Sequence, residues 1–292
     1  MTILVTGSAG MLGQAVMRRL ASAMDLVGVD LVDADLSRAD AVAALLDAHP
    51  CRRVLHCAAW TDVDGAESRR EEAFAANTTA TRNLAAACDA RGLGLTYLST
   101  DYVFAGEGSG GDPAEGYRED DPRAPLNYYG RTKALAEEAV AAMRGPWQIV
   151  RTSWLFGDGR VNFPKTIRRL LKEGKDLRVV QDQRGCPTGA DDLADVLGWL
   201  VSADARGIFH GTNAGRATWF EVAREVARLV GADPERITPC GSEEYPTAAR
   251  RPRCSILASR RLEEAGCPDR PPWQDALERY MRLLEEGRAA HP

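Results

Sequence analysis

Ile3-Leu4-Val5-Thr6 runs straight into Gly7-Ser8-Ala9-Gly10-Met11-Leu12-Gly13 near the start of the chain. The first four residues, largely β-branched and apolar, read as a short buried strand. After the glycines, Leu12, Val16, Met17 and Leu20 recur on one stripe of a helix. Strand, glycine turn and helix, in that order, is the context that a dinucleotide fingerprint requires. One glycine makes the tight turn, another lets the backbone approach a pyrophosphate, and the last lets helix and strand pack closely. The helix N-terminus then offers N–H groups and the positive end of its dipole to the phosphates. Gly7, Gly10, Met11, Leu12 and Gly13 are therefore the first candidate cofactor contacts. The spacing is G-x-x-G-x-x-G, not the G-x-G-x-x-G of many dehydrogenases.

A second apolar run, Leu26-Val27-Gly28-Val29, ends at Asp30. A carboxylate there can accept hydrogen bonds from the adenosine ribose and repels a 2′-phosphate, which favours NADH over NADPH. The alternative is a loop acid without a ligand. Asp35 and Leu36 follow where an adenine is expected.

Further strand-like runs fall at 53–56, 94–98 and 147–151, with helical patterns at 11–22, 38–48, 71–91 and 127–144. This is the βαβ rhythm of a doubly wound parallel sheet of Rossmann type. Residues 106–125 form a loop rich in Gly, Pro, Asp and Glu. Beyond about residue 152 the rhythm loosens. Helices are expected near 163–173, 191–202, 218–230, 259–265 and 272–287, an extended run at 177–181 and a strand at 208–210. The expected division is 1–152 plus about 181–215 as the dinucleotide-binding domain, with about 153–180 plus 216–292 as a smaller, mostly helical substrate lobe.

Composition narrows the function classes. The net charge of −5 gives no electrostatic support for nucleic-acid binding. No apolar run approaches the length of a membrane span. The start has neither a basic flank nor a cleavable signal pattern. Seven scattered cysteines, without a C-x-x-C, fit reduced thiols in a cytoplasmic enzyme and no zinc site. No metal site is expected, although a divalent ion and a homodimer are left open.

Ligands of open α/β sheets bind at the carboxyl ends of the strands. The small residues Cys57-Ala58-Ala59 at one such end would let a cofactor lie close to the backbone. Thr100 ends the fourth strand and can hydrogen-bond a substrate oxygen or cap its own loop. Tyr129 and Lys133 are four residues apart, on one face of the expected helix. Only four of the 37 basic residues are lysines, so a lysine at that spacing is an exception in this chain. An ammonium near a phenol lowers the phenol pKa and suits it to acid–base chemistry, and the pair is assigned that role here. A surface tyrosine packed on a lysine stem is the plainer alternative.

Together these residues resemble an extended short-chain dehydrogenase/reductase. Within that group the chain is similar to the dTDP-4-dehydrorhamnose reductase family over essentially its full length. A further matching stretch is Ala58-Ala59-Trp60-Thr61-Asp62-Val63-Asp64-Gly65-Ala66-Glu67, and the narrow matches are Ser99-Thr100-Asp101-Tyr102-Val103-Phe104, Asp182-Gln183-Arg184-Gly185-Cys186-Pro187-Thr188 and Ala249-Arg250-Arg251-Pro252.

The resemblance implies reduction of the 4-keto group of a dTDP-4-keto-6-deoxyhexose by NADH or NADPH. In it, Tyr129 protonates the sugar oxygen, Lys133 holds the nicotinamide ribose, and Thr100 replaces the serine of the superfamily triad. Thr100, Asp101 and Trp154 touch the sugar. Arg250 or Arg251 pairs with the diphosphate, unless the pair is only a surface salt-bridge site. Related sugar-nucleotide dehydratases carry Thr-Asp-Glu where this chain has Thr100-Asp101-Tyr102, which favours keto reduction over loss of water. His56-Cys57 stands where relatives often have Asn-Ala. A 4-ketoreductase for another deoxysugar, and a non-catalytic subunit like the regulatory subunit of methionine adenosyltransferase, are the alternatives.

Overall fold

A computed structural model describes residues 2–110, 112, 116–159 and 161–287. Met1 of the N-terminal start, and 111 and 113–115 of the 106–125 loop, lie outside the described residues. The first half of the chain alternates strand and helix as expected: β1 (Ile3–Thr6), α1 (Met11–Leu20), β2 (Leu26–Val29), α2 (Ala39–Ala48) and β3 (Arg53–His56). Then come α3 (Gly65–Ser68), α4 (Arg70–Phe74), α5 (Ala80–Arg91), β4 (Gly94–Thr100), α6 (Tyr128–Ala141) and β5 (Trp147–Thr152). The second half holds β6 (Leu155–Phe156), α7 (Phe163–Lys172), β7 (Leu177–Val180), β8 (Arg184–Gly185), β9 (Thr188–Gly189), α8 (Ala190–Ser202) and β10 (Gly207–His210). It ends with β11 (Ala217–Thr218), α9 (Trp219–Leu229), β12 (Ile237–Cys240), α10 (Arg260–Glu264) and α11 (Trp273–Glu285).

Six strands form one parallel sheet in the order β10-β5-β4-β3-β1-β2. The strand order reverses between β1 and β3, which opens a crevice at their carboxyl ends. Side chains alternate across each strand. Ile3 and Val5 of β1 face a core shared with α1 and α8, through Leu12, Val16, Leu193 and Leu197. Leu4 faces the opposite core, shared with α2, α5 and α6, through Val42, Leu45, Leu84 and Val140. Burial on both faces is why these strands read as continuous apolar runs.

A third core gathers Phe156 of β6 with Ile167, Leu171, Val222, Val226, Leu277 and Met281 from α7, α9 and α11. We propose the division of the chain at about 152, 181 and 215. It is supported by this third core, whose buried members all come from 153–180 and 216–292.

Three local differences have physical causes. The helix expected at 71–91 is interrupted by one π-helical turn, Ala75–Thr79, which propensity does not foretell. The C-terminal lobe is less purely helical than expected. Its β7 pairs in parallel with β12 across almost 60 residues, and runs of two to four residues carry too little periodicity to announce such pairs. The short α3 was also not foreseen; Asp62 Oδ1 accepts from Gly65 N at its start. Among the described residues no helix is long and apolar enough to cross a membrane.

Candidate active site

The glycine turn closes on the neighbouring strand. Gly7 has φ of +69°, and a Cβ there would stand 2.5 Å from the backbone N of Ala58. A Cβ on Gly13 would run into the Gly7 carbonyl. The ends of β1 and β3 thus meet backbone to backbone, and only glycine permits it. Helix α1 has no capping side chain at Gly10 and no acid in its first turn. Its leading N–H groups, those of Met11, Leu12 and Gly13, are suited to phosphate oxygens. Asp30 Oδ2 accepts from Ala9 N at 2.9 Å, so the β2 carboxylate is fixed beside the turn. Its own N–H donates to Asp33 Oδ2 at 2.7 Å. Asp35 binds the Ser37 hydroxyl and N–H, which hold its carboxyl below the ordinary range. Leu36 packs partly buried against the second core. This cradle fits a dinucleotide: close backbone, free helix N–H groups and a placed carboxylate.

Helix α6 is positioned at its start by two side chains. Asn127 Oδ1 caps it by accepting from Gly130 N at 2.8 Å. Glu67 Oε1, from α3, accepts from Tyr128 N at 2.7 Å. A carboxylate at a helix N-terminus is favourable there. The next turn is fastened by Asn77 of the π turn, whose Nδ2 donates to Thr132 Oγ1 (2.9 Å) and whose Oδ1 accepts from Trp60 N (2.8 Å).

Tyr129 and Lys133 sit one turn apart on this helix. Lys133 is buried, and its ammonium donates to the Leu98 carbonyl at 2.6 Å and lies 4.3 Å from the centre of the Tyr97 ring. Burial lowers its pKa to about 7, against the opposing pull of Glu137 and Cys57. The Cys57 thiol is pushed up by the same burial. Thr100, at the end of β4, donates to Asp101 Oδ1 at 2.9 Å and accepts from Tyr102 N at 3.2 Å. Tyr102 meets Tyr129 edge to face at 6.0 Å.

One expectation is corrected. The Tyr129 pKa is raised, not lowered: burial pushes it up, Asp101 adds to that, and a hydrogen bond with Thr100 only partly offsets both. The Lys133 ammonium is occupied by Leu98 and the Tyr97 face instead. Burial thus holds the Tyr129 phenol in its protonated form, which suits it to donating a proton.

Asp101 is buried, and burial raises its carboxyl to about 7, opposed by hydrogen bonding to Ser255 and Thr100. Ser255 Oγ faces it, yet neither Ser255 Oγ nor Asp101 Oδ2 completes a well-formed hydrogen bond. Thr152 Oγ1 is a third buried atom without a partner, and Thr152 pairs in register with Thr100. These buried polar groups lie at and beside the carboxyl ends of β4 and β5. Trp154 follows two residues later, stacked on Trp219.

The arginine pair divides. Arg251 is ion-paired with Asp64 and lies over the Tyr102 ring, with the guanidinium carbon 5.9 Å from its centre. Arg250 is exposed, and its carbonyl accepts from Asn127 Nδ2 at 3.0 Å.

Beneath the site lies a charge network that sequence reasoning did not assign. Arg151 and Glu137 are fully buried and joined by two hydrogen bonds of 2.9 and 2.8 Å. Ser99 Oγ donates to Glu137 at 2.6 Å. Removing one partner of such a pair costs about 3–5 kcal/mol, because the other charge stays buried. Asn77, Gln183 and Trp219 were also missed. Asp64, Glu67 and Gln183 lie within the matched stretches, which was the available signal.

Comparison with known proteins agrees with this geometry. The family described as RmlD substrate binding domain matches residues 1–286. A dTDP-4-dehydrorhamnose reductase of Streptomyces griseus is 42% identical, covering 99% of this chain and 95% of that protein. A dTDP-4-keto-6-deoxy-D-glucose reductase of Streptomyces niveus is 39% identical, covering 96% of each. The crystal structure of dTDP-4-dehydrorhamnose reductase from Bacillus anthracis in complex with NADP superposes with a TM-score of 0.90 at 35% identity, covering 96% of this chain and 98% of that one. The chain belongs to the RmlD family, that of the dTDP-4-dehydrorhamnose reductases, among the extended short-chain dehydrogenases/reductases.

Proposed function

We propose that this protein reduces the 4-keto group of a dTDP-4-keto-6-deoxyhexose, converting dTDP-4-dehydro-L-rhamnose to dTDP-L-rhamnose, and that NADH serves at least as well as NADPH. The observation that carries the reading is one continuous site. The Gly7–Ala58 cradle leads through Cys57 to Lys133, and one helical turn on stands Tyr129, a phenol kept protonated beside Thr100.

In this reading a reduced nicotinamide, when bound, supplies the hydride. Tyr129 gives its phenolic proton to the sugar O4 as the ketone becomes an alcohol. Thr100, at the end of β4, stands beside Tyr129 and helps to hold the phenol in place. Lys133, buried one turn from Tyr129, is assigned to the nicotinamide ribose. Thr100, Asp101 and Trp154 are assigned to the sugar. Tyr102 stands where a dehydratase has its second acid, so loss of water lacks its catalyst. Arg250 is assigned to the diphosphate, which lies remote from the reacting carbon and positions it.

The names of the relatives point to more than one sugar, since the Streptomyces niveus relative, at similar identity, is named for dTDP-4-keto-6-deoxy-D-glucose. The test is NADH consumption with dTDP-4-dehydro-L-rhamnose, with the product read by proton NMR. Large H3–H4 and H4–H5 couplings, from an equatorial O4, support the proposal. Turnover giving an axial O4 assigns the protein to another deoxysugar, and no turnover overturns the reductase reading.

A further inference from the structure

Trp154 has φ of +49°, in the left-handed region that residues other than glycine rarely occupy. Such a backbone persists only where its surroundings over-determine it. Those surroundings are built. The Trp219 ring covers Trp154 with centroids 3.6 Å apart and planes within 8°. Phe163 backs Trp219 at 4.6 Å. The Trp219 indole N–H donates to Gln183 Oε1 at 3.2 Å, and Gln183 Nε2 donates to Ser242 Oγ at 2.9 Å. Trp219 is also the first residue of α9, whose start is fixed by the reciprocal Thr218–Glu221 cap. Over the face opposite Trp219, a Cβ on residue 185 would stand 2.5 Å from Trp154 Cε2, so Gly185 is what lets the indole lie there. Pairing of Gly185 with Ala217 joins both sides of this arrangement into one unit.

We infer that Gln183, Gly185 and Trp219 form a clamp that presents the Trp154 ring to the substrate sugar. Trp219 and Gln183 act through Trp154 and are positioning residues. The inference rests on the reading of the site as a nucleotide-sugar pocket. It gives the Asp182-Gln183-Arg184-Gly185 stretch a task that the chemistry alone leaves without one. Trp154 lies two residues beyond Thr152, the register partner of Thr100, so its ring is anchored at the strand end that carries Thr100 and Asp101. Held between Trp219 on one face and Gly185 on the other, the indole has a fixed orientation and meets the sugar at its edge, so loss of that orientation weakens sugar binding without touching the dinucleotide cradle.

The test uses the full-length protein with Trp219→Ala, Trp219→Phe and Gly185→Ala. It reads KM for the dTDP-4-keto sugar, KM for NADH, and the near-ultraviolet circular dichroism of the stacked indoles. Trp219→Ala should lose the coupled indole signal and raise the sugar KM roughly tenfold, with KM for NADH nearly unchanged. Trp219→Phe, which can still stack, should recover most of that KM. Gly185→Ala should raise the sugar KM with α9 intact, and it carries the test if Trp219→Ala fails to fold. Loss of the indole signal with an unchanged sugar KM overturns the clamp, as does an unchanged KM in Gly185→Ala. An unmodified protein that turns over no dTDP-4-keto sugar overturns the functional reading beneath it, which is a different result.

Discussion

Arg251 is ion-paired with Asp64, 187 positions away in the chain, and the pair lies against the ring of Tyr102, which in turn meets Tyr129. The contact joins the loop after β3 to the C-terminal lobe beside the candidate catalytic phenol. Asp64 Oδ1 also accepts from Ala249 N at 2.9 Å, so one carboxylate fixes both the backbone and the guanidinium of this segment.

Arg251 is thus committed within the protein, whereas Arg250 projects to solvent. Arg250→Ala should weaken dTDP-sugar binding by about 1.5–3 kcal/mol, the worth of a charge-assisted hydrogen bond. A free keto-sugar should bind both proteins alike. The Arg251–Asp64 pair is partly exposed, so its coupling in a double-mutant cycle with Asp64→Asn should be at most about 1 kcal/mol of stability. Calorimetric titration of dTDP-sugar into each variant decides it. Normal affinity in Arg250→Ala together with weak binding in Arg251→Ala would reverse the assignment.

Tyr129→Phe should lower kcat by roughly 10²–10⁴ while NADH affinity stays nearly intact, since only the proton donor is lost. Lys133→Ala should lose both activity and NADH binding. Single-turnover rates and fluorescence titration of NADH separate the two. Near-normal turnover in Tyr129→Phe removes that residue from the mechanism.

Asp30, fixed on Ala9 N with Asp33 beside it, sets the cofactor prediction. The unmodified protein should use NADH at least as well as NADPH, and Asp30→Ala should shift the ratio of kcat/KM toward NADPH. The Bacillus anthracis relative was solved with NADP, so this comparison is informative in either direction. A strong NADPH preference in the unmodified protein sinks the prediction.

Asp101 gives a pH signature. Its carboxyl moves from an ordinary 3.8 to about 7 on folding, chiefly through burial. Between those values the folded chain holds a proton that the unfolded chain has released. Stability therefore falls as pH rises through that window, by at most about 1.4 kcal/mol per unit. Asp101→Asn should flatten this slope between pH 5 and 7 in urea denaturation. Equal slopes in both proteins would mean that Asp101 ionises normally.

Much of the fold was legible because its signals are local. The β1–α1 junction, the Asp30 position and the five Rossmann strands each announce themselves within a few residues. Tyr129 and Lys133 were legible for the same reason, through helical spacing. What escaped depends on distant partners. The Arg151–Glu137 pair joins a strand to a helix, and each residue alone reads as an ordinary surface charge. The direction of the Tyr129 pKa also escaped. Spacing places an ammonium nearby, but burial, which decides the sign, is a property of the whole packed site. The Trp154 backbone and its clamp need three segments brought together, so the matched stretch at 182–188 could be noticed without being explained.

Hydride transfer to the sugar is the central claim, and one isotopic measurement addresses it. The protein is incubated with dTDP-4-dehydro-L-rhamnose and NADH dideuterated at C4 of the nicotinamide, and the product is read by mass and NMR. The account predicts one deuterium at C4 of the sugar, in step with NADH consumed, and no such transfer in Tyr129→Phe beyond a slow residual rate. A sugar product without label at C4, or release of water and a 4-keto product from dTDP-glucose, would contradict it.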